Sequence, residues 1–383
     1  MATPARALYR RSAALAVAVT VLWAGVAQAD EQLERRLTEI QLPPGFKISL
    51  WAEVGNARSL TIGPPGESVY VGARQGSVIH VARDADGDGR AEQVRIIDGK
   101  FDTPNGVAVA NGALYVAENP RIRRWVIPVD FGTGSIIEPK LETVFTGLPR
   151  KSHHGWRYLA LGPDRKLYVS VGSPCNVCSV EGYEGKILRM GLDGSGVEIV
   201  ASGIRNSVGF DWNPKTKDLF FTDNGSDGLG DDIPADELNE VTKTGQFFGF
   251  PYYGGGRTKT PGFRGRTPPA DSVFPAIEFQ AHTASLGVRF YTGTMFPAEY
   301  RGDAFVAQHG SWNRSSPIGY RIMRIRFDAA GKAVSKEIFA QGWLQPDGGR
   351  WGRPVDLEVL ADGSMLVSDD YAGAIYRITY EKP

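Results

Sequence analysis

Six short β-rich runs recur along the chain, and each follows a turn-forming segment. They are GPPGESVYVGA near residue 70, ANGALYVAE near 115, GPDRKLYVSV near 168, PKTKDLFFTD near 220, YRGDAFVAQ near 305 and ADGSMLVSDD near 366. Most are followed, after a Gly-containing turn, by a second alternating run such as GKILRM or AGAIYRITY. A strand–turn–strand unit repeated about every 45 to 60 residues is typical of propeller blades. The sequence therefore predicts an all-β fold, a six-bladed β-propeller.

One long gap separates the runs near residues 220 and 305. It contains QFFGFPYYGGGRTKTPGFRGRTPPA, which is rich in Gly, Pro and aromatic residues. We expect an inserted loop region around 245–280 in a single propeller domain, 30–383, whose loops converge on one face around a central channel. A pair of β-sandwiches or a parallel β-helix fits the spacing less well.

The first thirty residues predict export. Arg6, Arg10 and Arg11 precede an apolar run from about Ala13 to Val26, and Ala27-Gln28-Ala29 follows it. This order is typical of a secretory signal peptide, 1–29, cut after Ala29. The apolar run is short for a membrane anchor, the alternative interpretation. We therefore expect a periplasmic or secreted protein with no stable membrane insertion.

The charge balance argues against nucleic acid as a partner. The chain has 43 basic and 43 acidic residues, and removal of the signal peptide leaves 40 against 43. Nucleic-acid binding favours a strongly basic surface.

Most histidines and several arginines fall in loops beside the predicted strands, where binding sites are usually built. The histidines are His153, His154, His282 and His309, and the arginines are Arg74, Arg205, Arg314 and Arg353. Each arginine alone is typical of a surface or loop residue. Four arginines converging at a channel mouth would favour an anionic ligand.

Two acidic loops are candidates for a hard cation. DADGDGRAE, 84–92, resembles the start of a calcium loop, but Arg95 stands where an EF-hand needs glutamate, and a solvated acidic hairpin explains it equally well. TDNGSDGLGDDIPADELNEV, 222–241, combines carboxylates with a Gly-rich backbone and is the better candidate for a functional ion.

The two cysteines, Cys175 and Cys178, form C-x-x-C after a predicted strand. A zinc site needs two further ligands, and a thioredoxin-type motif needs a helix start. In an exported protein a disulfide closing a tight loop is the favoured interpretation, with redox chemistry as the alternative.

Several segments together resemble one family over nearly the whole mature chain. They are HHGWRYLALGPDRKLYVSVGSPCNVC, GIRNSVGFDWNP, DELNEV followed by GQFFGFP, HTASLGVRFYTG, HGSWNRSSPIGYRI and GRPVDLEVLADGSMLVSDD. The chain in this respect resembles the soluble pyrroloquinoline quinone (PQQ) dependent sugar dehydrogenases, especially the sorbosone dehydrogenase-like branch. The resemblance implies a six-bladed propeller that binds PQQ with Ca²⁺ and oxidises an aldose, aldosone or related sugar.

The resemblance also implies roles for individual residues. His154 is expected to be the catalytic base, and Arg205 is expected to act with it on the quinone. The expected cofactor contacts are Arg74, Arg205, Asn206, His282, His309, Arg314 and Arg353. Backbone carbonyls of Gly225 and Ser226 are expected to hold Ca²⁺. The implied partners are a sugar and an electron acceptor, a cytochrome or a quinone.

The residue types suit this chemistry. PQQ is a tricarboxylate whose quinone carbonyl accepts hydride, so the protein should supply cations for the acids and an electrophile for the carbonyl. A neutral imidazole can take the proton of a sugar hydroxyl near neutral pH. Two rival interpretations remain: a calcium-dependent lactonase-type propeller, which needs carboxylates on one ion and no arginine cluster, and a non-catalytic propeller that binds sugar or protein.

Overall fold

A computed structural model describes residues 31–382, so the signal peptide predicted for residues 1–29 lies outside the described residues. Residues 31–37 are α-helical, and short 3-10 helices cover Pro261–Phe263 and Ala298–Tyr300. Among the described residues, none of the helices is both long and apolar enough to cross a membrane.

The remaining regular structure is β-strand, numbered here in chain order. The first thirteen strands are β1 (Phe46–Glu53), β2 (Ala57–Gly63), β3 (Ser68–Ala73), β4 (Ile79–Arg83), β5 (Gln93–Ile97), β6 (Gly106–Ala110), β7 (Ala113–Ala117), β8 (Ile122–Val126), β9 (Ile136–Ile137), β10 (Glu142–Phe145), β11 (Leu159–Leu161), β12 (Leu167–Val171) and β13 (Lys186–Met190). The others are β14 (Glu198–Ser202), β15 (Phe210–Trp212), β16 (Leu219–Asp223), β17 (Asp236–Val241), β18 (Gln246–Phe247), β19 (Ile277–Phe279), β20 (Ser285–Phe290), β21 (Ala304–Gln308), β22 (Arg321–Phe327), β23 (Ala333–Gln341), β24 (Pro354–Val359), β25 (Met365–Asp369) and β26 (Ala374–Tyr380).

These strands form six sheets of four or five strands, the blades of a β-propeller, so the predicted fold is confirmed. In order from first to last strand the blades are β2-β3-β4-β5-β9, β6-β7-β8-β10, β11-β12-β13-β14-β18, β15-β16-β17-β19, β20-β21-β22-β23 and β24-β25-β26-β1. We number them blades 1 to 6. The first strands of neighbouring blades contact one another, as β2 does with β6 and β24.

The six repeated runs are the second strands of the blades: β3, β7, β12, β16, β21 and β25. Every residue of these strands is buried. Each blade packs between two others, so its second strand is covered on both faces. Burial on both faces explains why the repeated sequences are mostly apolar, as in LYVSV and MLVSD, and do not alternate apolar and polar residues.

The ring closes through the pairing of β1 with β26, the last strand of the chain. The two strands are antiparallel from Phe46 opposite Tyr380 to Glu53 opposite Ala374. The Phe46 ring makes edge-on contacts with the rings of Phe296, Tyr300, Phe339 and Tyr380 at 4.8 to 5.1 Å. The aromatic cluster anchors β1 between blades 5 and 6.

The region expected as an insertion, 245–280, runs from β18 to β19 on blades 3 and 4. Most of it has no regular strand. Its aromatic rings pack on one another, as Tyr252 does with Phe263 at 5.7 Å between centroids. The Gly254 carbonyl accepts the Ser226 N–H at 2.6 Å, so this region supports the backbone behind the candidate site.

A buried charge cluster joins the first strands of blades 4, 5 and 6. Arg289 donates to Glu358 Oε2 at 3.0 Å and lies 3.8 Å from Asp211 Oδ1. Asp356 accepts the Leu60 N–H at 3.0 Å, and its other oxygen is 3.5 Å from the Tyr158 hydroxyl. Burial raises the pKa of Asp356 to about 6 and that of Glu358 to about 7, although Arg289 opposes both shifts.

We predict that Glu358→Gln flattens the pH dependence of stability. The raised pKa means that the folded state holds the proton between about pH 4.3, the ordinary glutamate value, and about pH 7, so the free energy of unfolding falls as pH rises through this window. Across this window the proton on Glu358 contributes on the order of 3 kcal/mol to the free energy of unfolding, and Glu358→Gln removes this pH dependence. Urea unfolding at pH 5 and pH 8 measures it. Glu142→Gln, at an exposed glutamate paired with Arg124, is the control and should leave the slope unchanged; an unchanged slope in Glu358→Gln would contradict the prediction.

Candidate functional site

One cavity lies at the end of the propeller where the first strands begin and the second strands end. Its volume is about 310 Å³, within the range of small-molecule sites. Five of the six blades contribute to its wall. The lining residues are Arg58, Arg74, His154, Trp156, Arg205, Asn206, Val208, Asn224, Gly225, Asp227, Asp236, His282, Ala284, Leu286, His309, Trp312, Asn313 and Arg353.

The cavity brings together eight of the residues predicted from sequence: Arg74, His154, Arg205, Asn206, Gly225, His282, His309 and Arg353. Two others are placed elsewhere. Ser226 lies fully buried behind the wall. Arg314 follows wall residue Asn313, but its guanidinium contacts Asp231 and Asp232 instead of the cavity.

His154 is held in one orientation before β11. Its Nδ1 lies 3.0 Å from the Ser173 carbonyl, which only accepts, so Nδ1 carries the proton and Nε2 keeps its lone pair. The residue has left-handed backbone (φ 49°). A Cβ at Gly172 would stand 2.5 Å from the His154 Cβ, so glycine is required beside it.

The surroundings keep this imidazole neutral. Burial, Arg205 and His153 lower the pKa of His154 to about 2. His153 is exposed, and its ring lies 4.0 Å from that of His154. A neutral imidazole with a free Nε2 can accept a proton, but a pKa this low makes it a weak base until bound negative charge offsets Arg205.

Arg205 is a buried cation held by blades 3 and 4. Its backbone N–H donates to Asp223 Oδ2 at 2.8 Å. Its guanidinium donates to the Asn224 carbonyl at 3.1 Å and to Asp227 Oδ2 at 2.7 Å. Because these acceptors surround the group, its position is fixed before any ligand arrives.

Asp370 organises a second group of cations. One of its oxygens lies 2.9 Å from Arg58 Nη1 and 3.5 Å from Arg74 Nη1, and the other lies 2.7 Å from His309 Nε2. Burial lowers the pKa of His309 to about 4, although Asp370 opposes the shift. One carboxylate therefore serves two arginines, which leaves positive charge on this side of the wall.

Arg353 adds a further cation from blade 6. Its guanidinium donates to the carbonyls of His309 and Gly310 at 2.8 and 2.6 Å. These acceptors are neutral dipoles, so the positive charge of Arg353 is oriented without being neutralised by them.

Two tryptophans line the cavity and differ in exposure. Trp156 donates to the Arg74 carbonyl at 3.1 Å, and the Arg58 guanidinium carbon lies 5.6 Å from the ring centroid. Trp312 is 74% exposed although it belongs to the wall. It therefore presents an aromatic ring to solvent at the mouth.

The loops after β16 and β21 meet across the mouth. Asn313 Nδ2 donates to Asp227 Oδ1 at 2.7 Å, and the Ser315 N–H donates to Asp231 Oδ1 at 3.1 Å. His282 Nε2 lies 2.8 Å from the Gly230 carbonyl. Like His154, His282 has left-handed backbone (φ 65°), a conformation that costs about 1 kcal/mol or more and is common at functional sites.

Oxygen atoms without partners and buried acids lie in the wall and behind it near Gly225. Among residues 31–382, Asn206 Oδ1, Asn224 Oδ1 and Ser226 Oγ are buried without a hydrogen bond. Burial raises the pKa of Glu237 to about 8, and the Asp223 carboxylate contributes to this shift. Unpaired oxygens beside buried carboxyl groups favour a cation.

The predicted disulfide is confirmed: Cys175 and Cys178 are bonded, with Cα atoms 6.1 Å apart. The acidic hairpin is separate from the cavity, and carboxylate oxygens of Asp84, Asp86 and Asp88 lie within 4.8 Å of one another. Both interpretations of that hairpin, calcium loop and solvated turn, are compatible with this arrangement.

Sequence reasoning did not single out several residues in or behind the candidate site: Arg58, Trp156, Trp312, Asn313 and Asp370. Asp227 lies in the acidic segment 222–241 that was singled out for an ion. Arg58 lies inside β2, so the sequence pattern indicated a strand residue and not a binding residue. Trp312 and Asn313 follow His309 in HGSWN, and an aromatic–amide pair in a predicted loop was a usable signal. Asp370 follows the last residue of β25, at the same blade end as the predicted residues.

The arrangement suits an anionic, aromatic ligand. Four arginines face two carboxylates in the wall, and tryptophan rings lie beside them. A histidine fixed with a free Nε2 opens onto the same space. The site can therefore bind negative charge and remove a proton from a molecule bound next to it.

Similar proteins share this fold. Residues 263–381 match the TrAA12-like family. A Trichoderma reesei structure described as Carbohydrate-Active Enzymes Family AA12, in a calcium form, has a TM-score of 0.74 at 20% identity, covering 89% of this chain and 97% of the other. The holo form of the pyranose dehydrogenase PQQ domain from Coprinopsis cinerea has a TM-score of 0.72 at 18% identity, with coverages of 89% and 97%.

Two proteins are also similar to this chain in amino-acid sequence. A PQQ-dependent pyranose dehydrogenase from Coprinopsis cinerea is 32% identical over 127 residues, which is 28% of this chain and 17% of that protein. An uncharacterized protein of Borreliella burgdorferi is 35% identical over 360 residues, or 91% of this chain and 93% of the relative. The chain belongs to the same protein family as this Borreliella burgdorferi protein.

Proposed function

We propose that the chain is an exported PQQ- and Ca²⁺-dependent dehydrogenase that oxidises an aldose, aldosone or related sugar, within the sorbosone dehydrogenase-like branch. The observation that carries the proposal is the convergence of four arginines and a histidine with a free Nε2 on one cavity. The disulfide supports an oxidising compartment. The electron acceptor would be a cytochrome or a quinone.

The wall fits PQQ. The cofactor is a planar tricarboxylate, and Arg58, Arg74, Arg205 and Arg353 supply four cations, set against Asp227 and Asp236 in the wall and Asp370 behind it. Arg74 Nε, a buried donor without a partner among the described residues, is available to a ligand oxygen. Predicted contacts Asn206, His282 and His309 lie in the same wall, whereas Arg314 would act by holding the mouth loops together.

The surroundings of Gly225 fit Ca²⁺. Hard cations take oxygen ligands, and unpartnered Asn224 Oδ1 and Ser226 Oγ lie beside the backbone of Gly225 and Ser226. The carboxyl groups of Asp223, Asp236 and Glu237 are buried close by, and a bound cation would favour their ionised forms. This supports the Gly225 and Ser226 carbonyls as ligands and assigns no further geometry.

In the proposed mechanism His154 accepts a proton and Arg205 stabilises negative charge. When bound, PQQ supplies the quinone carbonyl that accepts hydride from the sugar carbon. His154 accepts the proton of the sugar hydroxyl at Nε2 while Nδ1 stays bonded to the Ser173 carbonyl. Arg205 remains a fixed cation that stabilises negative charge developing beside it.

Sugar is favoured as substrate by the mouth of the cavity. Trp312 offers an exposed ring, and Asn313 and Asp227 offer polar atoms next to it. An aromatic face with nearby hydrogen-bonding groups matches the two surfaces of a sugar ring. A lactonase would not need the arginines, so the wall favours the dehydrogenase.

The function is tested on mature protein purified without cofactor. PQQ is added with and without Ca²⁺, uptake is followed by tryptophan fluorescence, and the quinone absorbance is recorded after addition of aldoses, aldosones and polyols. We expect Ca²⁺-dependent uptake followed by bleaching with one sugar class. Absence of uptake would refute the cofactor, and uptake without bleaching by any sugar would refute the substrate class.

We predict that His154→Ala lowers kcat by about 10² to 10⁴-fold, the range for loss of a general base. PQQ affinity should change less than about 3-fold, because the cations that bind the cofactor remain. Steady-state kinetics and PQQ titration measure the two effects. His153→Ala removes the exposed neighbouring ring and serves as the matched control, with activity close to wild type. Comparable losses in both variants would remove His154 as the base.

We predict that Trp312→Ala raises KM about 10-fold while kcat changes by less than about 3-fold, because ring contact contributes to sugar binding and not to proton transfer. Trp312→Phe should retain most of the affinity. Tyr371→Ala, at another exposed aromatic, is the control. A fall in kcat at unchanged KM would contradict substrate stacking.

A further inference from the structure

We propose that Asn176, at the tip of the turn closed by the Cys175–Cys178 disulfide, is a positioning residue that fixes Arg205 and Asp227 in the cavity wall. The inference rests on the proposed function for the role of Arg205. It assigns the disulfide a task beyond stapling a loop, namely holding one amide side chain in place.

Asn176 binds both wall residues at once. Its carbonyl accepts from Arg205 Nε at 3.0 Å, and its Oδ1 accepts from Arg205 Nη2 at 2.9 Å. The same Oδ1 accepts the Asp227 N–H at 2.8 Å, and Nδ2 donates to the Asp227 carbonyl at 3.0 Å. The side chain therefore pairs with the Asp227 backbone as a neighbouring strand would.

These contacts continue across the mouth. Asp227 Oδ2 accepts from Arg205 Nη2 at 2.7 Å, and Asp227 Oδ1 accepts from Asn313 Nδ2 at 2.7 Å. Asn176 on blade 3 is thereby connected to blade 4 through Asp227 and to blade 5 through Asn313. Among residues 31–382, the Asn176 side chain makes the only hydrogen bonds between the Asp227 backbone and blade 3.

The turn itself is fixed to the proposed base. Ser173 Oγ donates to the Cys175 carbonyl at 2.7 Å, and the Ser173 N–H donates to the Arg205 carbonyl at 2.8 Å. The Ser173 carbonyl is the acceptor for His154 Nδ1. One short segment, 173–176, thus sets the positions of both His154 and Arg205.

A purely structural role of the disulfide would explain the tight turn. It would not explain why Asn176 makes its hydrogen bonds to Arg205 and Asp227. Both side-chain polar atoms of Asn176, and its carbonyl, are engaged by Arg205 and Asp227 and not by its own turn. The disulfide restricts the backbone conformations of 175–178, so the amide is presented in one orientation. That is preorganisation of the wall at a distance from the ligand.

The test uses the full mature protein and three changes: Asn176→Ala, Asn176→Asp and the double change Cys175→Ser with Cys178→Ser. Asn111→Gly, at an exposed turn asparagine that accepts one bond from Arg165, is the control, because glycine tolerates the left-handed backbone there (φ 49°). The first measurement is hydrogen–deuterium exchange of segment 224–230 without cofactor. The second is the PQQ dissociation constant, and the third is the split between kcat and KM.

We expect Asn176→Ala to speed exchange at 224–230 about 10-fold or more and to weaken PQQ binding about 10-fold, with the thermal midpoint of the cofactor-free protein unchanged. Asn176→Asp keeps the acceptor for Arg205 and loses the donor to Asp227, so its effects should be smaller. The double serine variant should shift in the same direction. Dithiothreitol reduces the disulfide to two thiols and is itself oxidised to a cyclic disulfide. In wild type it should therefore produce the faster exchange at 224–230 that we expect of the serine variant. It should leave the serine variant unchanged.

The outcomes separate this inference from the proposed function. If wild type fails to bind PQQ, the function fails, and exchange at 224–230 still decides the role of Asn176. Unchanged exchange in Asn176→Ala and in the double serine variant overturns the inference even if PQQ binds normally. A lower thermal midpoint with unchanged PQQ affinity also overturns it, since that result identifies a structural role alone. If Asn176→Ala does not fold, Asn176→Asp and the serine variant give the same decision.

Discussion

The site depends on closure of the blade ring by β1 and β26. No single blade carries enough of the wall to bind a ligand, since the lining residues come from five blades and His154, His309 and Arg353 lie on three different ones. Their mutual distances are therefore set by the packing of blades around the ring. The antiparallel pairing of β1 with β26 and the aromatic contacts of Phe46 fix blade 6 against blade 5 and so complete the ring. A propeller holds its loops rigidly because every blade is wedged between two others.

Charge in the wall is arranged so that cations are held without being fully neutralised. Arg353 is oriented by carbonyl groups, and Arg58 and Arg74 share the carboxylate of Asp370. Burying a cation without any partner would be costly, and pairing each with its own carboxylate would leave nothing for a ligand. Partial compensation meets both requirements. Burial, with a smaller contribution from Arg205, lowers the pKa of His154, so this imidazole remains neutral beside the cations.

Sequence alone predicted the architecture because the repeat is a direct consequence of burial. Second strands covered on both faces must be short apolar runs, and turns must separate them, so β3, β7, β12, β16, β21 and β25 were visible as a pattern. It also identified much of the wall, because His154, Arg205 and Arg353 stand at blade ends. Residues such as Arg58 and Asp370 were not predicted, because their importance comes from pairing between segments 312 residues apart in the chain. Arg314 was expected in the cavity wall and lies outside it for a similar reason: its partner Asp231 is in a different loop.

The placement of strain and cross-links suggests why these loops differ from ordinary blade turns. His154, His282 and Ala284 all line the cavity in left-handed backbone, and Gly172 is required by the close approach of His154. Such conformations persist only where neighbouring contacts determine them. Around His154 and Arg205 those contacts converge on Ser173 and Asn176, beside the disulfide of the chain. A short covalent loop there stabilises strained, partly unpaired polar groups without adding side chains that would fill the cavity, so rigidity and open volume are obtained in the same place.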